Sequence, residues 1–165
     1  MDRKKMTEAV DPLLIDYRYL AGLFDGEGCI TVYTRKDTKG CKNLRYVLRI
    51  QITNINVPLM DYLNSIGWYV IKRSSSKYTI RVCYEARLED RKAANFLIEV
   101  LPFLRIKYHE AALAIEFQIH KHSFGVHRNW KLGLPEEELM YRKYIKRRLS
   151  EIKAENGGYD EQRNN

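Results

Sequence analysis

The stretch that decides the fold is Tyr19-Leu20-Ala21-Gly22-Leu23-Phe24-Asp25-Gly26-Glu27-Gly28. It is an apolar helical pattern with small residues built into it, and it ends in acidic residues separated by a glycine. Gly22 and Gly26 are four positions apart and so share one face of a helix. Glycine inside a helix costs about 1 kcal/mol relative to alanine, and close approach of a second helix is the usual compensation. The stretch occurs once in the chain, so a second copy would have to come from another chain.

The acidic residues Asp25 and Glu27 lie at an electrostatically unusual place. The C-terminus of a helix already carries partial negative charge, which disfavours carboxylates there. Divalent cations at the junction of two such ends would remove this conflict, because Mg²⁺ prefers carboxylate, carbonyl and water oxygens. Metals so placed bind scissile phosphates, activate water and stabilise a leaving oxygen. The alternative interpretation is a helix that ends in a glycine-rich turn with solvent-exposed acids.

Size and charge limit the class of protein. The 165 residues, 45% of them hydrophobic, fit one domain with a real core, which we predict over residues 1–155, with a disordered tail at 156–165. A net charge of +8 favours nucleic acid as a partner ahead of an anionic membrane. The three cysteines form neither a disulfide framework nor a zinc pattern, which indicates a reduced, intracellular setting. Neither a secretory signal nor an apolar run long enough for a membrane span is expected.

Hydrophobic periodicity predicts an α+β fold with the order αββαββα, then a further helix and a C-terminal helix. The first helix covers about Leu13 to Phe24, starts at Asp11-Pro12 or at Asp16, and is ended by the pair Gly26 and Gly28. The other predicted elements are strands Cys29 to Arg35 and Leu44 to Thr53, a helix Val57 to Ser65, strands Tyr69 to Arg73 and Lys77 to Tyr84, and helices Glu89 to Leu101, Lys107 to His120 and Pro135 to Glu155.

The run Leu20 to Gly28 resembles the signature of the LAGLIDADG homing endonucleases, in the variant that ends D-G-E-G. The predicted element order is similar to that family's core, over residues 13–120. Leu101-Pro102-Phe103-Leu104-Arg105-Ile106-Lys107 also resembles the segment that carries the family's active-site lysine. The resemblance implies an intron-encoded endonuclease that uses Mg²⁺ to make double-strand breaks in a long pseudo-palindromic DNA target. Mn²⁺ and Ca²⁺ are alternative occupants of the metal site.

The resemblance also implies an assembly and a set of site residues. Members with one motif are homodimers, with the motif helices packed about the two-fold axis and the antiparallel sheets forming a saddle on double-stranded DNA. Glu27 matches the metal-binding acid, and Gly26 offers its backbone carbonyl as a further ligand. Asp25 matches the other motif acid, which has a more structural role. Lys107 matches the lysine near the scissile phosphates, and Asn54 matches a polar residue that holds water in the site.

One departure from the family pattern concerns the basic residue that follows the polar position in some members. The stretch after Asn54 reads Ile55-Asn56-Val57-Pro58 and contains neither Lys nor Arg. Arg105 and Lys72 are the candidates to take that place.

The predicted strands carry a second sign of DNA binding, independent of the motif. Side chains opposite the apolar face are rich in Arg and include Gln51, with almost no acid among them. A twisted antiparallel ribbon can lie in the major groove, where Arg and Gln read purine edges. The alternative is a solvated sheet face. The predicted DNA-binding residues are Tyr33, Arg35, Arg45, Arg49, Gln51, Arg73, Lys77, Thr79 and Arg81, with Arg45, Arg49, Arg73 and Arg81 as the candidates for base contacts.

A competing function is a nucleic-acid binder that does not cleave, either an RNA maturase or a transcriptional regulator on the same scaffold. Retention of Glu27 and Lys107 favours the enzyme, because a pure binder needs no metal-binding acid.

Overall fold

The computed structural model describes residues 15–36, 44–73, 82–124 and 133–157. The predicted α+β class and its αββαββα order are confirmed, and two more helices follow that order along the chain. The elements are helix α1 (Tyr17–Glu27), strands β1 (Gly28–Arg35) and β2 (Arg45–Asn54), helix α2 (Val57–Ser65), strands β3 (Tyr69–Arg73) and β4 (Cys83–Glu89), helix α3 (Asp90–Val100), a short 3₁₀ turn (Leu101–Phe103), and helices α4 (Tyr108–Ser123) and α5 (Glu136–Gly157). Residues 158–165 of the predicted tail lie outside the described residues.

The strands form one antiparallel sheet in the order β1-β2-β4-β3. Side chains alternate between its faces, so Ile30, Ile50 and Leu88 point into the core that the helices cover. The odd-numbered residues of these strands point to the opposite face. The alternation that the sequence predicts for β1 and β2 is therefore the alternation between core and outer face.

Helix α1 begins at Asp16, one of the two predicted starts. The Asp16 carboxylate accepts the backbone N–H groups of Arg18 (2.9 Å) and Tyr19 (3.1 Å), which satisfies donors that have no partner within the helix. The alternative start, Asp11-Pro12, lies outside the described residues. The predicted end at Phe24 is wrong, because the helix continues through Gly26 to Glu27.

Gly28 is required by packing rather than by an unusual backbone conformation. Its φ of −79° is ordinary extended backbone, and it starts β1. A Cβ at this position would lie 2.3 Å from Phe24 Cδ2 and 2.4 Å from the Phe24 carbonyl oxygen. The chain therefore turns from helix to strand tightly against the buried Phe24 ring.

A cluster of aromatic rings anchors α1 in the core. Phe24 and Leu20 are fully buried, and the Phe24 ring meets Phe96 of α3 edge to face at 5.5 Å. Phe96 in turn meets Trp68 at 4.9 Å. Burial of one such side chain stabilises the fold by about 1.5–3 kcal/mol. This packing fixes the direction of α1, so that its last residue reaches the end of the sheet.

The prediction for the second hairpin and the helix after it is wrong in its boundaries. Residues 74–81 lie outside the described residues, but β4 runs to Glu89, where the sequence pattern predicts the start of a helix. Tyr84, Ala86 and Leu88 alternate with Glu85 and Arg87 along β4, so a period-two signal is present in the sequence. Ala, Leu, Glu and Arg are good helix formers, and this composition obscures the strand.

The start of α3 is held in a strained conformation by a polar cluster. Asp90 has a φ of +48°, in the left-handed region that residues other than glycine seldom adopt. Its carboxylate accepts Lys121 Nζ of α4 (2.6 Å), an Arg45 guanidinium N–H (2.7 Å) and the Leu48 backbone N–H (3.2 Å). Burial raises the pKa of Asp90, but the hydrogen bonds from Lys121 and Arg45 outweigh it and leave the pKa below its ordinary value.

The last two helices are joined by a second polar cluster. Glu138 of α5 is 4% exposed and accepts Arg142 Nε at 2.5 Å, and His120 Nε2 of α4 lies 2.8 Å from its other oxygen. Within the described residues, His120 therefore has an acidic partner that is distant in sequence. Across those same ranges, none of the helices is long and apolar enough to cross a membrane.

Candidate active site and nucleic-acid interface

The predicted metal-binding residues lie at the solvent-exposed end of α1. Gly26 and Glu27 are both exposed, and they are the last residues of the helix. Pairing of Gly28 with Ile52 places Asn54 at the same end of the sheet, two residues beyond the paired position. Sequence reasoning predicted these residues separately, and the register brings them to one end of the molecule.

Asp25 ties the end of α1 to the segment before α4. Its Oδ2 accepts the backbone N–H groups of Arg105 (2.7 Å) and Ile106 (3.3 Å), and its Oδ1 accepts that of Lys107 (3.0 Å). The Lys107 ammonium donates to the backbone carbonyl oxygen of Asp25. The Asp25 carboxylate thus fixes the chain that carries Lys107, and the Lys107 ammonium lies at the end of the helix that presents Glu27.

The donors at this end suit a hard cation, but those of the described residues alone do not complete a metal site. Among residues 15–36, 44–73, 82–124 and 133–157, no group of three His, Cys, Asp or Glu side chains could hold a metal ion. Glu27 supplies a carboxylate, and the last carbonyl groups of a helix lack partners within it. Mg²⁺ is commonly bound through one or two carboxylates together with phosphates and waters. The oxygen donors of Glu27 and Gly26 fit this description.

The candidate water-holding residue and the candidate basic residues lie near the same end. Asn54 Oδ1 accepts the Asn56 backbone N–H at 3.0 Å. Lys72 pairs with Tyr84, which pairs with Asn54, so Lys72 is in the row of Asn54, two strands away. The strand spacing makes this separation about 10 Å. Arg105 is exposed in the segment bound to Asp25. Arg105 and Lys72 stay predictions for the missing basic residue.

The outer face of the sheet carries the predicted DNA-binding side chains that lie in the described residues. Arg35 and Arg73 are well exposed there, and Arg49 is partly covered. Sequence reasoning missed Arg87, which stands above the Tyr69 ring at 5.0 Å, because β4 was not extended to include it. On this face by register are Tyr33, Arg35, Arg45, Arg49, Gln51 and Arg73, whereas Lys77, Thr79 and Arg81 lie outside the described residues.

The prediction that this face has almost no acid is wrong. Glu85 and Glu89 of β4 point to it, between the arginines of the neighbouring strands. Glu85 Oε2 accepts Arg73 Nε (2.9 Å) and an Arg73 terminal N–H (2.5 Å), and its Oε1 lies 3.6 Å from Arg87. Glu85 and Glu89 lie beyond Tyr84, where the predicted strand ends. The wrong boundary of β4 therefore left these two acids out of the predicted outer face.

Glu89 is the centre of a second cluster on this face. Its Oε1 accepts Arg49 Nε (2.9 Å), an Arg49 terminal N–H (2.6 Å) and the Tyr33 hydroxyl (2.9 Å). The Arg49 guanidinium also lies 4.2 Å from the Tyr33 ring centre. Burial raises the pKa of Glu89, but hydrogen bonds from Arg49 and Tyr33 outweigh burial and hold the pKa below its ordinary value. Glu89 is therefore an anion bound to Arg49 at neutral pH.

The helix–strand junction at Gly28 and the strands β1 to β4 lie in the part of the chain that a protein-family model matches. A family model described as LAGLIDADG endonuclease matches residues 20–106, just over half of the chain. The chain therefore belongs to the LAGLIDADG endonuclease family. The resemblance inferred from Leu20 to Gly28 is confirmed. A search of curated protein sequences finds no match.

Solved structures share the fold at low sequence identity. The homing endonuclease I-CvuI in complex with its target has a TM-score of 0.64 at 15% identity, over 82% of this chain and 80% of that one. The archaeal intron-encoded homing endonuclease I-Vdi141I complexed with DNA has a TM-score of 0.62 at 16% identity, over 82% of each chain. The LAGLIDADG meganuclease I-AabMI bound to uncleaved DNA has a TM-score of 0.59 at 20% identity, over 81% of this chain and 46% of that one.

Proposed function

We propose that this protein is a homodimeric, site-specific endonuclease that hydrolyses both strands of a long, pseudo-palindromic DNA duplex with the help of Mg²⁺. The observation that carries the proposal is the end of α1. Exposed Glu27 and the Lys107 ammonium lie there together, with Asp25 fixing the segment that holds the lysine. The arginine-bearing face of the adjoining sheet supplies a surface for DNA.

The exposed face of α1 supports a dimer through the motif helix. A Cβ added to Gly22 or Gly26 would meet nothing within 4 Å in the described residues, so packing against those residues does not require glycine there. Close approach of a second helix gives a reason for both. Exposed apolar side chains occur on the same helix and beside its end, at Tyr19 (52% exposed) and Ile106 (59% exposed). A second copy would bury them.

The share of the longer relative that is covered also supports two copies. This chain matches 46% of the I-AabMI chain but 80% of the I-CvuI chain. One copy of the fold therefore corresponds to about half of the longer protein. Association of two chains would supply a second end of α1, with a second Glu27, at the axis.

The chain's own residues have defined tasks in this proposal. When bound, Mg²⁺ would supply Lewis acidity at the scissile phosphate and at a coordinated water. Glu27, with the Gly26 carbonyl, would hold the cation at the helix end. Lys107 would place positive charge beside the phosphate and assist deprotonation of the attacking water. Asn54 would orient water at the edge of the site, and Asp25 would keep the Lys107 segment in place through its N–H contacts.

The sheet would choose the cleavage position. On the described part of the outer face, Arg35, Arg45, Arg49, Arg73 and Arg87 outnumber Glu85 and Glu89, which favours contact with a polyanion. DNA complexes of I-CvuI and I-Vdi141I, which share the fold, support a duplex as the partner. A guanidinium that makes a bidentate contact to guanine discriminates by about 1–3 kcal/mol.

The proposal is tested by selecting cleavage sites from a library of randomised duplexes in Mg²⁺. We expect one pseudo-palindromic site, cut in both strands, and complexes that contain two protein chains by light scattering. Glu27→Gln should abolish cutting and keep binding to that site within a few-fold. Glu99→Gln is the matched control, because it makes the same change of charge at an exposed position of α3.

Two results would contradict the proposal. Tight, selective binding with no cleavage in Mg²⁺, Mn²⁺ or Ca²⁺ would show a binder that does not cut, such as a regulator or a maturase. Normal cleavage by Glu27→Gln would remove Glu27 from the metal site.

A further inference from the structure

We propose that Glu85 and Glu89 are positioning residues that set the sequence discrimination of this protein, by holding Arg73, Arg87 and Arg49 in fixed orientations on the outer face of the sheet. The inference rests on the proposed binding of duplex DNA to that face. It adds a role for the acids, which a surface selected only for affinity to a polyanion would not contain.

Glu85 lies beneath the two arginines that flank it. It is only 4% exposed, although it points to the outer face of the sheet. Oε2 accepts two N–H groups of Arg73, whose own side chain is 49% exposed. Oε1 accepts no hydrogen bond from the described residues and lies 3.6 Å from an Arg87 nitrogen. A shift of Arg87 by less than 1 Å would complete this hydrogen bond, so Glu85 can hold both guanidinium groups at once.

Glu89 holds Arg49 by a different arrangement. One carboxylate oxygen accepts two N–H groups of Arg49 and the Tyr33 hydroxyl. Arg49 also donates to the Tyr33 hydroxyl at 2.9 Å and lies against the Tyr33 ring. Contacts to Glu89 and Tyr33 thus fix the side chain of Arg49 at several points, while 20% of that side chain remains exposed.

These contacts should raise specificity and lower general affinity. An unconstrained arginine loses much rotamer freedom on binding, and a guanidinium held in advance loses less. A carboxylate next to a guanidinium also weakens the attraction of that guanidinium to phosphate. Contacts to phosphate carry no sequence information. The N–H groups that the carboxylate does not accept stay available to the acceptors of a guanine edge. Glu85 and Glu89 therefore favour base contacts over backbone contacts.

The test compares Glu85→Gln and Glu89→Gln with Glu99→Gln, which changes the charge equally on the helix-covered side of the sheet. Each protein is titrated in Ca²⁺ with the duplex that the unmodified protein selects and with a randomised duplex. The titrations are repeated over a series of salt concentrations. For the Glu85 and Glu89 variants, we expect the ratio of selected to random affinity to fall at least about fivefold. The slope of log K against log salt on random duplex should steepen by about 0.9 for each guanidinium released.

The outcomes separate this inference from the proposed function. If the unmodified protein shows no preference between selected and random duplex, the proposed function fails. If it shows a preference that both Gln variants retain, with unchanged salt slopes, Glu85 and Glu89 are not positioning residues and the proposed function stands. A purely structural role would lower the melting temperature and weaken both duplexes equally. Because Glu89 is 31% exposed in its side chain, Glu89→Gln carries the test if buried Glu85 does not tolerate substitution.

Discussion

Replacement of Gly22 by alanine should have opposite effects on the folding of one chain and on its dimerisation. Gly22 is exposed on α1, and an added Cβ would meet no atom of the described residues within 4 Å. The substitution should therefore stabilise the separate chain by about 1 kcal/mol, the difference in helix propensity between glycine and alanine. If Gly22 lies in a tight seam between two copies of α1, the methyl group would overpack that seam.

The size of the effect on the dimer follows from symmetry. Each dimer contains two copies of Gly22, and overpacking costs about 1–3 kcal/mol for each extra methyl group. The helix-propensity gain is present in both monomer and dimer and so cancels in the association equilibrium. The dimer dissociation constant should therefore rise about 30-fold or more, as measured by sedimentation equilibrium over a dilution series. Urea unfolding at concentrations below that constant should show the gain in monomer stability.

Gly28→Ala is the contrasting control for this experiment. Its Cβ would lie 2.3 Å from the Phe24 ring, so the monomer itself should lose stability, by about 1–3 kcal/mol. The reasoning about the seam is refuted if Gly22→Ala dimerises as tightly as the unmodified protein. It is also refuted if Gly22→Ala destabilises the monomer as Gly28→Ala does.

Three further outcomes are expected. Asp25→Ala should slow cleavage while DNA affinity stays within a few-fold, because the segment 105–107 loses the side-chain acceptor of its N–H groups and holds Lys107 less firmly; cleavage at the unmodified rate would contradict this. Asp90→Ala should destabilise the fold more than Asp90→Asn, by about 1 kcal/mol in urea unfolding, because asparagine tolerates the φ of +48° better than alanine; equal losses would exclude backbone strain. Folding lowers the pKa of Asp90, so the stability that its carboxylate contributes is complete above about pH 4 and is lost as the pH falls through the folded pKa. Asp90→Asn should therefore flatten the fall of the unfolding free energy in acid. An unchanged dependence of that free energy on pH would contradict the role given to Asp90.

The parts of the fold that sequence reasoning predicted correctly are those with a strong local signal. β1 and β2 alternate cleanly between apolar and polar residues, and Gly67, with a φ of +96°, ends α2 as predicted. β4 also alternates, but its helix-forming composition hides a short strand whose stability comes from pairing with β2 and β3. The predicted end of α1 is too early because glycine is locally a helix-stop signal, whereas the helix continues through Gly26 to Glu27 beside the buried Phe24.

By itself, the sequence determined the family, the α+β element order and the residues available for chemistry, because each depends on residue identity and short-range spacing. The run Leu20 to Gly28 contains Glu27 and the glycines Gly22 and Gly26, and this content does not depend on how the rest of the chain folds. Contacts distant in sequence were decided only by the tertiary structure. It joined Asp25 to Lys107 across the fold, and it placed Glu85 and Glu89 among the arginines of the sheet. These contacts depend on strand register and helix direction, which the burial of the whole core fixes and no local pattern encodes.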